Sequence, residues 1–144
     1  MAKIIQSTGS IFNSPAEAIV NPVNCVGVLG AGLAKQFAQL YPVECKVYQD
    51  QCKQNKLKIG NVLLVDGGAK RIYHVPTKDH WRNPSLYTTI DLSLEALTKS
   101  IIANKISSIA IPRLGCGLGG LDWSKVRPKI VKTFESIDVD VYLY

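Results

Sequence analysis

The sequence has little that marks a disulfide-bonded, metal-binding or membrane-spanning protein. Its cysteines form no close CxxC pair and have no histidine at zinc-finger spacing, so reduced thiols are expected and neither a metal ion nor a cofactor is indicated. The four are Cys25, Cys45, Cys52 and Cys116. No apolar run is long enough to cross a bilayer, and residues 1–10 lack the zones of a signal peptide. We therefore expect a cytoplasmic protein with no membrane contact.

The common nucleotide-binding fingerprints are also missing. Residues 27–32 read GVLGAG, which is not GxGxxG, and no Walker lysine follows Gly32. No acidic residue stands at the distance that would hold an NAD ribose. A Rossmann dehydrogenase and a P-loop enzyme are therefore disfavoured.

Acidic residues are scarce relative to basic ones. The chain has 17 Lys and Arg against 11 Asp and Glu, a formal net charge of +6. A positive field raises the local concentration of phosphates, so this balance favours an anionic partner such as a nucleic acid. The basic residues of segments 46–58 and 125–132 fall on predicted helices without interleaved aromatic rings, and solvated helix faces explain them at least as well as a nucleic-acid track.

Apolar runs alternate with amphipathic segments along the 144 residues, without internal repeats. Strands are predicted at residues 3–6, 18–22, 61–65, 71–75, 107–112 and 139–144, and helices at residues 33–40, 43–55, 85–103 and 124–136. The turn Asp66-Gly67-Gly68 predicts a hairpin. Apolar strands between amphipathic helices are typical of a sheet covered on both faces. The fold class is therefore α/β, a three-layer α/β/α sandwich around a mixed central sheet, in a single domain over residues 1–144.

Two glycine-rich segments each follow a predicted buried strand. Residues 18–37 read AIVNPVNCVGVLGAGLAKQF, and residues 109–123 read IAIPRLGCGLGGLDW. Glycine lets a backbone approach a ligand without a Cβ in the way, and a helix that starts just beyond offers free N–H groups to phosphate oxygens. Ligands sit at the carboxyl ends of strands in such sheets, so both segments are expected to open on one crevice. Either segment taken alone is explained equally well as a tight turn without a ligand as by a ligand-binding loop.

These segments resemble those of the macro domain family. The resemblance rests on IVNPVN at residues 19–24, on the glycines that follow, and on IPRLGCGLGGL at residues 111–121. It spans essentially the whole chain and implies the three-layer fold with ADP-ribose as the ligand. Within the family, VPTKDHWRNP at residues 75–84 is most similar to the branch that contains the terminal ADP-ribose protein glycohydrolase and the DarG-type antitoxins. These proteins remove ADP-ribose from acidic side chains or from DNA.

The resemblance also implies where the ligand lies. Asn24 would contact the distal ribose, and the two glycine-rich segments would wrap opposite sides of the diphosphate. Backbone amides would do most of the phosphate binding, in agreement with the independent argument from the glycines. The expected ligand-binding residues are Asn24, Gly27, Val28, Gly30, Ala31, Gly32, Leu33, Gly115, Cys116, Gly117, Leu118, Gly119, Gly120 and Leu121.

Lys78 is the residue that the resemblance places at the centre of the chemistry. A lysine beside a pocket that excludes water loses solvation of its ammonium group, which favours the neutral amine. A neutral amine can attack the anomeric carbon of an ADP-ribosyl group and form a covalent adduct. Without the resemblance, a solvated loop lysine beside Asp79 is the simpler interpretation.

Asp122 and His80 are the expected acid–base partners of Lys78. The protein glycohydrolase of this branch carries an acidic residue within its second glycine loop, whereas this chain has Gly119 there and Asp122 as the nearest substitute. Asp122 also stands where it would cap the last helix, which is an equally good interpretation. His80 lies beside Lys78 and could titrate near neutrality.

Four further residues have weaker claims to function. Trp81 and Arg82 could stack on or clamp a base or a phosphate, or simply anchor their own loop. Arg113 could orient a phosphate or pair with a carboxylate. His74 lies within an apolar strand and is predicted to be a core residue.

Three functions remain open from the sequence. The preferred one is an enzyme that removes ADP-ribose from a macromolecule, either DNA or acidic protein side chains. The positive charge somewhat favours nucleic acid as the carrier. The alternatives are a phosphatase acting on ADP-ribose 1″-phosphate and an ADP-ribose reader without turnover. A monomer is expected.

Overall fold

The computed structural model describes residues 3–144, so Met1 and Ala2 of the predicted domain lie outside the description. It contains ten main helices and strands and a short 3-10 helix at Ile11–Asn13. In chain order they are β1 (Lys3–Gln6), β2 (Ala18–Val23), α1 (Gly32–Leu40), α2 (Pro42–Lys53), β3 (Leu63–Asp66), β4 (Arg71–Pro76), α3 (Tyr87–Ala103), β5 (Ser108–Ile111), α4 (Trp123–Phe134) and β6 (Asp140–Leu143).

The described strands form one sheet in the order β1-β6-β5-β2-β4-β3. The pair β3–β4 is antiparallel, and its strands are joined by the predicted hairpin, in which the Asp66 carboxylate accepts a hydrogen bond from Gly68 N at 3.0 Å. The four other pairs are parallel. The mixed sheet predicted from the sequence is confirmed.

Helices cover both faces of this sheet. Helices α3 and α4 pack on one face, against strand residues such as Val20 and Tyr73. Helices α1 and α2 pack on the other face through Phe37 and Cys45. The next residues along the strands, Ile19 beside Val20 and Ile72 beside Tyr73, belong to this second core, as expected because successive side chains of a strand point to opposite faces. The three-layer sandwich is therefore confirmed.

The predicted element bounds differ from the observed ones by at most two residues, and two of the differences have local physical reasons. Helix α3 begins at Tyr87 and not at Ser85, because Ser85 N donates to the carbonyl of Gly119 at 3.0 Å and holds the chain outside the helix. Strand β3 begins at Leu63, after a turn closed by Asn61 N and the carbonyl of Lys58 at 3.0 Å. Within residues 3–144, no helix is long and apolar enough to span a membrane.

The packing of α3 gives a direct test of the sandwich. Leu97 is fully buried, whereas Leu92 on the same helix is 48% exposed. We expect Leu97→Ala to lower the free energy of unfolding by about 2–5 kcal/mol, because it removes buried methyl groups and leaves a cavity. Leu92→Ala should change it by less than about 0.5 kcal/mol. Urea denaturation of both variants measures the difference, and equal losses at the two positions would contradict the assigned orientation of α3.

Candidate functional site

Three loops meet at the carboxyl edge of the sheet because β2 runs parallel to both β4 and β5. We call residues 24–31, which follow β2, the first glycine loop. Residues 77–86, which follow β4, are the lysine loop, and residues 112–122, which follow β5, are the second glycine loop. Together they border a cleft of about 1070 Å³. This volume suits an extended ligand of nucleotide size, and the predicted shared crevice is confirmed.

Most of the residues singled out from the sequence line this cleft. They are Asn24, Val28, Gly30, Ala31, Gly32, Leu33, Lys78, Gly115, Cys116, Gly117, Leu118, Gly119, Leu121 and Asp122. Gly27, His80 and Gly120 do not line it. Burial raises the pKa of the Cys116 thiol, so this cysteine is not an activated nucleophile.

The first glycine loop is held in shape by Asn24 and by two residues of α2. Asn24 Oδ1 accepts from Val28 N at 3.3 Å, and Asn24 Nδ2 donates to the Val28 carbonyl at 2.9 Å. The buried Tyr48 hydroxyl donates to the Asn24 carbonyl at 2.7 Å, and Gln49 Nε2 donates to the Gly27 carbonyl at 3.0 Å. The Asn24 amide, predicted to contact a ribose, therefore shapes the loop. Gly27, with a φ of +81°, faces α2 and not the cleft.

The same loop and the first residue of α1 leave backbone N–H donors without acceptors. Within the part of the chain that the structure describes, the N–H groups of Gly30, Ala31 and Gly32 make no hydrogen bond. Ala31 is the N-cap of α1 and supplies no capping side chain. A helix N-terminus with free N–H groups attracts an anion through its hydrogen-bond donors and its dipole.

The second glycine loop presents the opposite wall. Its shape is fixed by Leu121 N, which donates to the Gly115 carbonyl at 2.9 Å, and by the bond from Ser85 N to the Gly119 carbonyl. A Cβ at Gly119 would overlap Ser85 Oγ and the Gly115 carbonyl, so only glycine fits there. The N–H groups of Gly117, Leu118 and Gly119 find no acceptor among residues 3–144. Free amides therefore border the cleft on both sides.

Lys78 is positioned by its backbone neighbours. Thr77 N donates to the Val23 carbonyl at 2.9 Å, and Cys25 N donates to the Asp79 carbonyl at 2.9 Å. These bonds extend the β2–β4 pairing on either side of Lys78, whose half-buried side chain lines the cleft. No residue in the described range forms an ion pair or hydrogen bond with the Lys78 amine.

His80 and Asp79 organise the lysine loop. His80 Nδ1 accepts from Arg82 N at 3.1 Å. Asp79 Oδ1 accepts from Asn83 Nδ2 at 2.8 Å and from His80 N at 2.7 Å. The hydrogen bond from Asn83, followed by that from His80, lowers the pKa of the Asp79 carboxyl. The role of His80 as an acid–base partner remains a prediction.

Asp122 caps the last helix. Its Oδ1 accepts from Ser124 N at 2.9 Å and from Ser124 Oγ at 2.8 Å. These hydrogen bonds lower the pKa of the Asp122 carboxyl and keep it ionised at neutral pH. The sequence left two roles open for Asp122, an acid–base partner and a helix cap. The hydrogen bonds observed in the structure are those of a helix cap.

Other residues at or near the cleft had a weak sequence signal or none. Trp123 lines the cleft and was not predicted, while Trp81 and Arg113 had only weak claims and also line it. His74 is fully buried, as predicted, and its Nδ1 lies 3.2 Å from Asn21 Nδ2. Burial lowers the pKa of His74 to about 4, and the nearby Glu44 carbonyl opposes this shift. His74 Nε2 has no partner at hydrogen-bond geometry.

Comparison with known proteins identifies relatives of this chain. The sequence model of the macro domain family matches residues 20–130. The DNA ADP-ribosyl glycohydrolase of Mycobacterium tuberculosis is 42% identical over 146 residues, which cover 98% of this chain and 42% of the relative. The chain therefore spans about two fifths of the length of this relative.

Solved structures agree with this comparison. The macrodomain of Mycobacterium tuberculosis DarG superposes with a TM-score of 0.97 at 41% identity, covering 100% of this chain and 98% of that one. Thermosipho africanus DarTG in complex with ADP-ribose superposes with a TM-score of 0.87 at 32% identity, covering 98% of this chain and 41% of that one.

The crowding around Gly119 predicts a loop that tolerates no side chain. Gly119→Ala should lower the free energy of unfolding by about 1–3 kcal/mol, because the added methyl group overpacks the contact with Ser85. Gly117→Ala in the same loop is the matched control, since its Cβ meets no atom within 4 Å and its φ is not positive. Urea denaturation compares the two, and an unchanged Gly119→Ala protein would refute the packing argument.

The cap formed by Asp122 predicts a pH-dependent stability. Because the folded-state pKa is lowered, the carboxylate stabilises the folded protein above pH 3.8 and loses this effect as the pH falls through the folded-state pKa. Asp122→Ala should lower the melting temperature by a few degrees at pH 7 and by much less at acidic pH. Asp122→Ser, which can still cap, should stay close to the unsubstituted protein. Equal losses for Ala and Ser in thermal melts would contradict a capping role.

Proposed function

Since the chain belongs to the macro domain family, we propose that it binds ADP-ribose in the cleft and hydrolyses the bond between ADP-ribose and DNA. The observation that carries the proposal is the placement of Lys78 in a cleft bordered on two sides by free backbone amides. The 42% identity to a protein named DNA ADP-ribosyl glycohydrolase supports DNA as the carrier.

The diphosphate lies between the two glycine loops in this proposal. Its oxygens accept hydrogen bonds from Gly30, Ala31 and Gly32 on one side and from Gly117, Leu118 and Gly119 on the other. Backbone donors that are fixed before the ligand arrives need no reorganisation when it binds. None of these six residues has a cationic side chain. In this proposal they bind the diphosphate through their peptide N–H groups and the dipole of α1.

Lys78 acts as the nucleophile. Its amine nitrogen attacks C1″ of the distal ribose, the bond from C1″ to the carrier breaks, and the carrier leaves with the electron pair and takes up a proton. The ribose ring of the adduct opens to an imine between C1″ and the Lys78 nitrogen. Water then adds to C1″, the carbon–nitrogen bond breaks, and free ADP-ribose and the amine are regenerated.

The other predicted acid–base groups take smaller parts. Asp122 lines the cleft as a helix cap, with its Oδ1 already bonded to Ser124. His80 lies outside the cleft lining. Proton transfers in this proposal therefore pass through water and the ligand phosphates, and Asp122 contributes the position of α4 and a local negative charge.

Substitution of Lys78 tests the mechanism. Lys78→Ala should reduce release of ADP-ribose from an ADP-ribosylated DNA oligonucleotide by on the order of 10²-fold or more, because the covalent route is lost. Lys78→Arg should lose activity equally, since a guanidinium group is not a nucleophile at neutral pH. Chromatography of the released ADP-ribose measures the rates, and calorimetry should show that free ADP-ribose still binds.

Reductive trapping provides the second readout. With cyanoborohydride present, the unsubstituted protein should gain the mass of one ADP-ribosyl group on Lys78, because hydride reduces the imine to a stable amine. Full activity of Lys78→Ala, or trapping at a different residue, would remove Lys78 from the chemistry. Binding of ADP-ribose without release from DNA, from glutamate-linked peptide or from ADP-ribose 1″-phosphate would leave only a reader function.

A further inference from the structure

Both tryptophans of the chain line the cleft, and each lies against an arginine. The Arg82 guanidinium is 4.8 Å from the centre of the Trp81 ring, and that of Arg113 is 5.4 Å from the centre of the Trp123 ring. These are cation–π distances. One pair belongs to the lysine loop, and the other joins the second glycine loop to the start of α4.

Trp81 lies in the same loop as Lys78, and hydrogen bonds fix the backbone of this loop. The hydrogen bonds around Asp79 and those that extend the β2–β4 pairing fix the backbone on both sides of Lys78. Trp81 stands three residues beyond Lys78 in this loop, and its side chain is 46% exposed. The ring contacts His80, at 5.4 Å between ring centres, and its exposed part leaves apolar surface available in the cleft.

The charges beside Trp81 suit a polyanion. Asp79 has the one carboxylate within the lysine loop, and this group already accepts hydrogen bonds from His80 N and Asn83 Nδ2. Arg82 and Arg113 each place a guanidinium against a ring, and neither forms an ion pair in residues 3–144. Aromatic rings next to arginines bind single-stranded nucleic acid by stacking the bases and contacting the phosphates.

We infer that Trp81 and Arg82 form a platform for the nucleotide adjacent to the ADP-ribosylated one and so favour a DNA carrier over a protein carrier. The inference rests on the proposed function, because it concerns what lies beyond C1″ once ADP-ribose occupies the cleft. The neighbouring base stacks on the part of the Trp81 indole that faces the cleft, and Arg82 contacts the phosphate. Arg113 contacts the DNA chain at the opposite wall of the cleft.

Binding measured without turnover tests the platform. In a Lys78→Ala background, fluorescence anisotropy gives the Kd for an ADP-ribosylated single-stranded oligonucleotide and for the corresponding ADP-ribosylated mononucleoside. Trp81→Ala should weaken oligonucleotide binding about tenfold, the size expected for loss of one stacked base. Its effect on the mononucleoside conjugate should be several times smaller. Trp81→Phe, which keeps a ring, should restore most of the affinity, and Leu92→Ala is the control for an exposed apolar side chain elsewhere.

The dependence on salt tests Arg82 separately. Loss of one phosphate contact should reduce the slope of log K against log salt by about 0.7 for a single strand. We therefore expect Arg82→Ala to lower this slope for the oligonucleotide and to leave it unchanged for free ADP-ribose. An unchanged slope for the oligonucleotide would remove Arg82 from the platform.

The outcomes separate this inference from the proposed function. An equal loss of affinity for oligonucleotide, mononucleoside conjugate and free ADP-ribose in Trp81→Ala, or a large fall in its melting temperature, would assign Trp81 to its own loop and overturn the inference. An equal loss for a glutamate-linked ADP-ribosyl peptide would overturn the preference for nucleic acid. If no DNA conjugate releases ADP-ribose, the proposed function fails, while a Trp81-dependent preference for the oligonucleotide still supports the platform.

Discussion

The parallel pairing of β2 with both of its neighbours is the constraint on which the site depends. The pairing with β4 runs from Ala18 opposite Arg71 to Val23 opposite Pro76, and Ala18 and Ile19 pair with Ile109 and Ala110 of β5. Because the three strands run in one direction, the loops that follow them emerge at the same edge of the sheet. An antiparallel neighbour at either position would send one loop to the far edge and leave the cleft with two walls.

Polar side chains in and around this cleft mainly hold loops and leave peptide groups of the cleft wall unpaired. Asn24 and Tyr48 bond the first glycine loop, Asp79 bonds the lysine loop, and Asp122 bonds the start of α4. Each forms hydrogen bonds with nearby backbone or side-chain groups, and the N–H groups of Gly30 and Gly117 are among those left without an acceptor in residues 3–144. In this arrangement, much of the side-chain chemistry serves to position the backbone.

Sequence patterns predicted the elements well because each carries its own local signal. The apolar stripe of α3 and the hairpin glycines after Asp66 are properties of neighbouring residues, and both elements lie where the patterns placed them. The positions of single side chains were harder to predict. Gly27 and His80 sit in the right segments, yet the contacts of Gly27 with Gln49 and of His80 with Arg82 turn them away from the cleft. A local sequence pattern does not predict the contact between Gly27 and Gln49, which are 22 residues apart, or the orientation that the folded loop gives to His80.

The sequence alone determined the three-layer fold and the two glycine-rich segments, because hydrophobic period and glycine placement are properties of neighbouring residues. The segment that carries Lys78 was identified through the resemblance to the macro domain family. Only the tertiary structure decided that Asp122 caps a helix, that Asn24 shapes a loop, and that Trp81 and Trp123 line the same cleft as Lys78. The cleft walls come from segments distant along the chain, and these meet only when the sheet brings its strand ends together. The partners Ser124 of Asp122 and Val28 of Asn24 are close in sequence, but the folded backbone decides which of several possible hydrogen bonds each side chain makes.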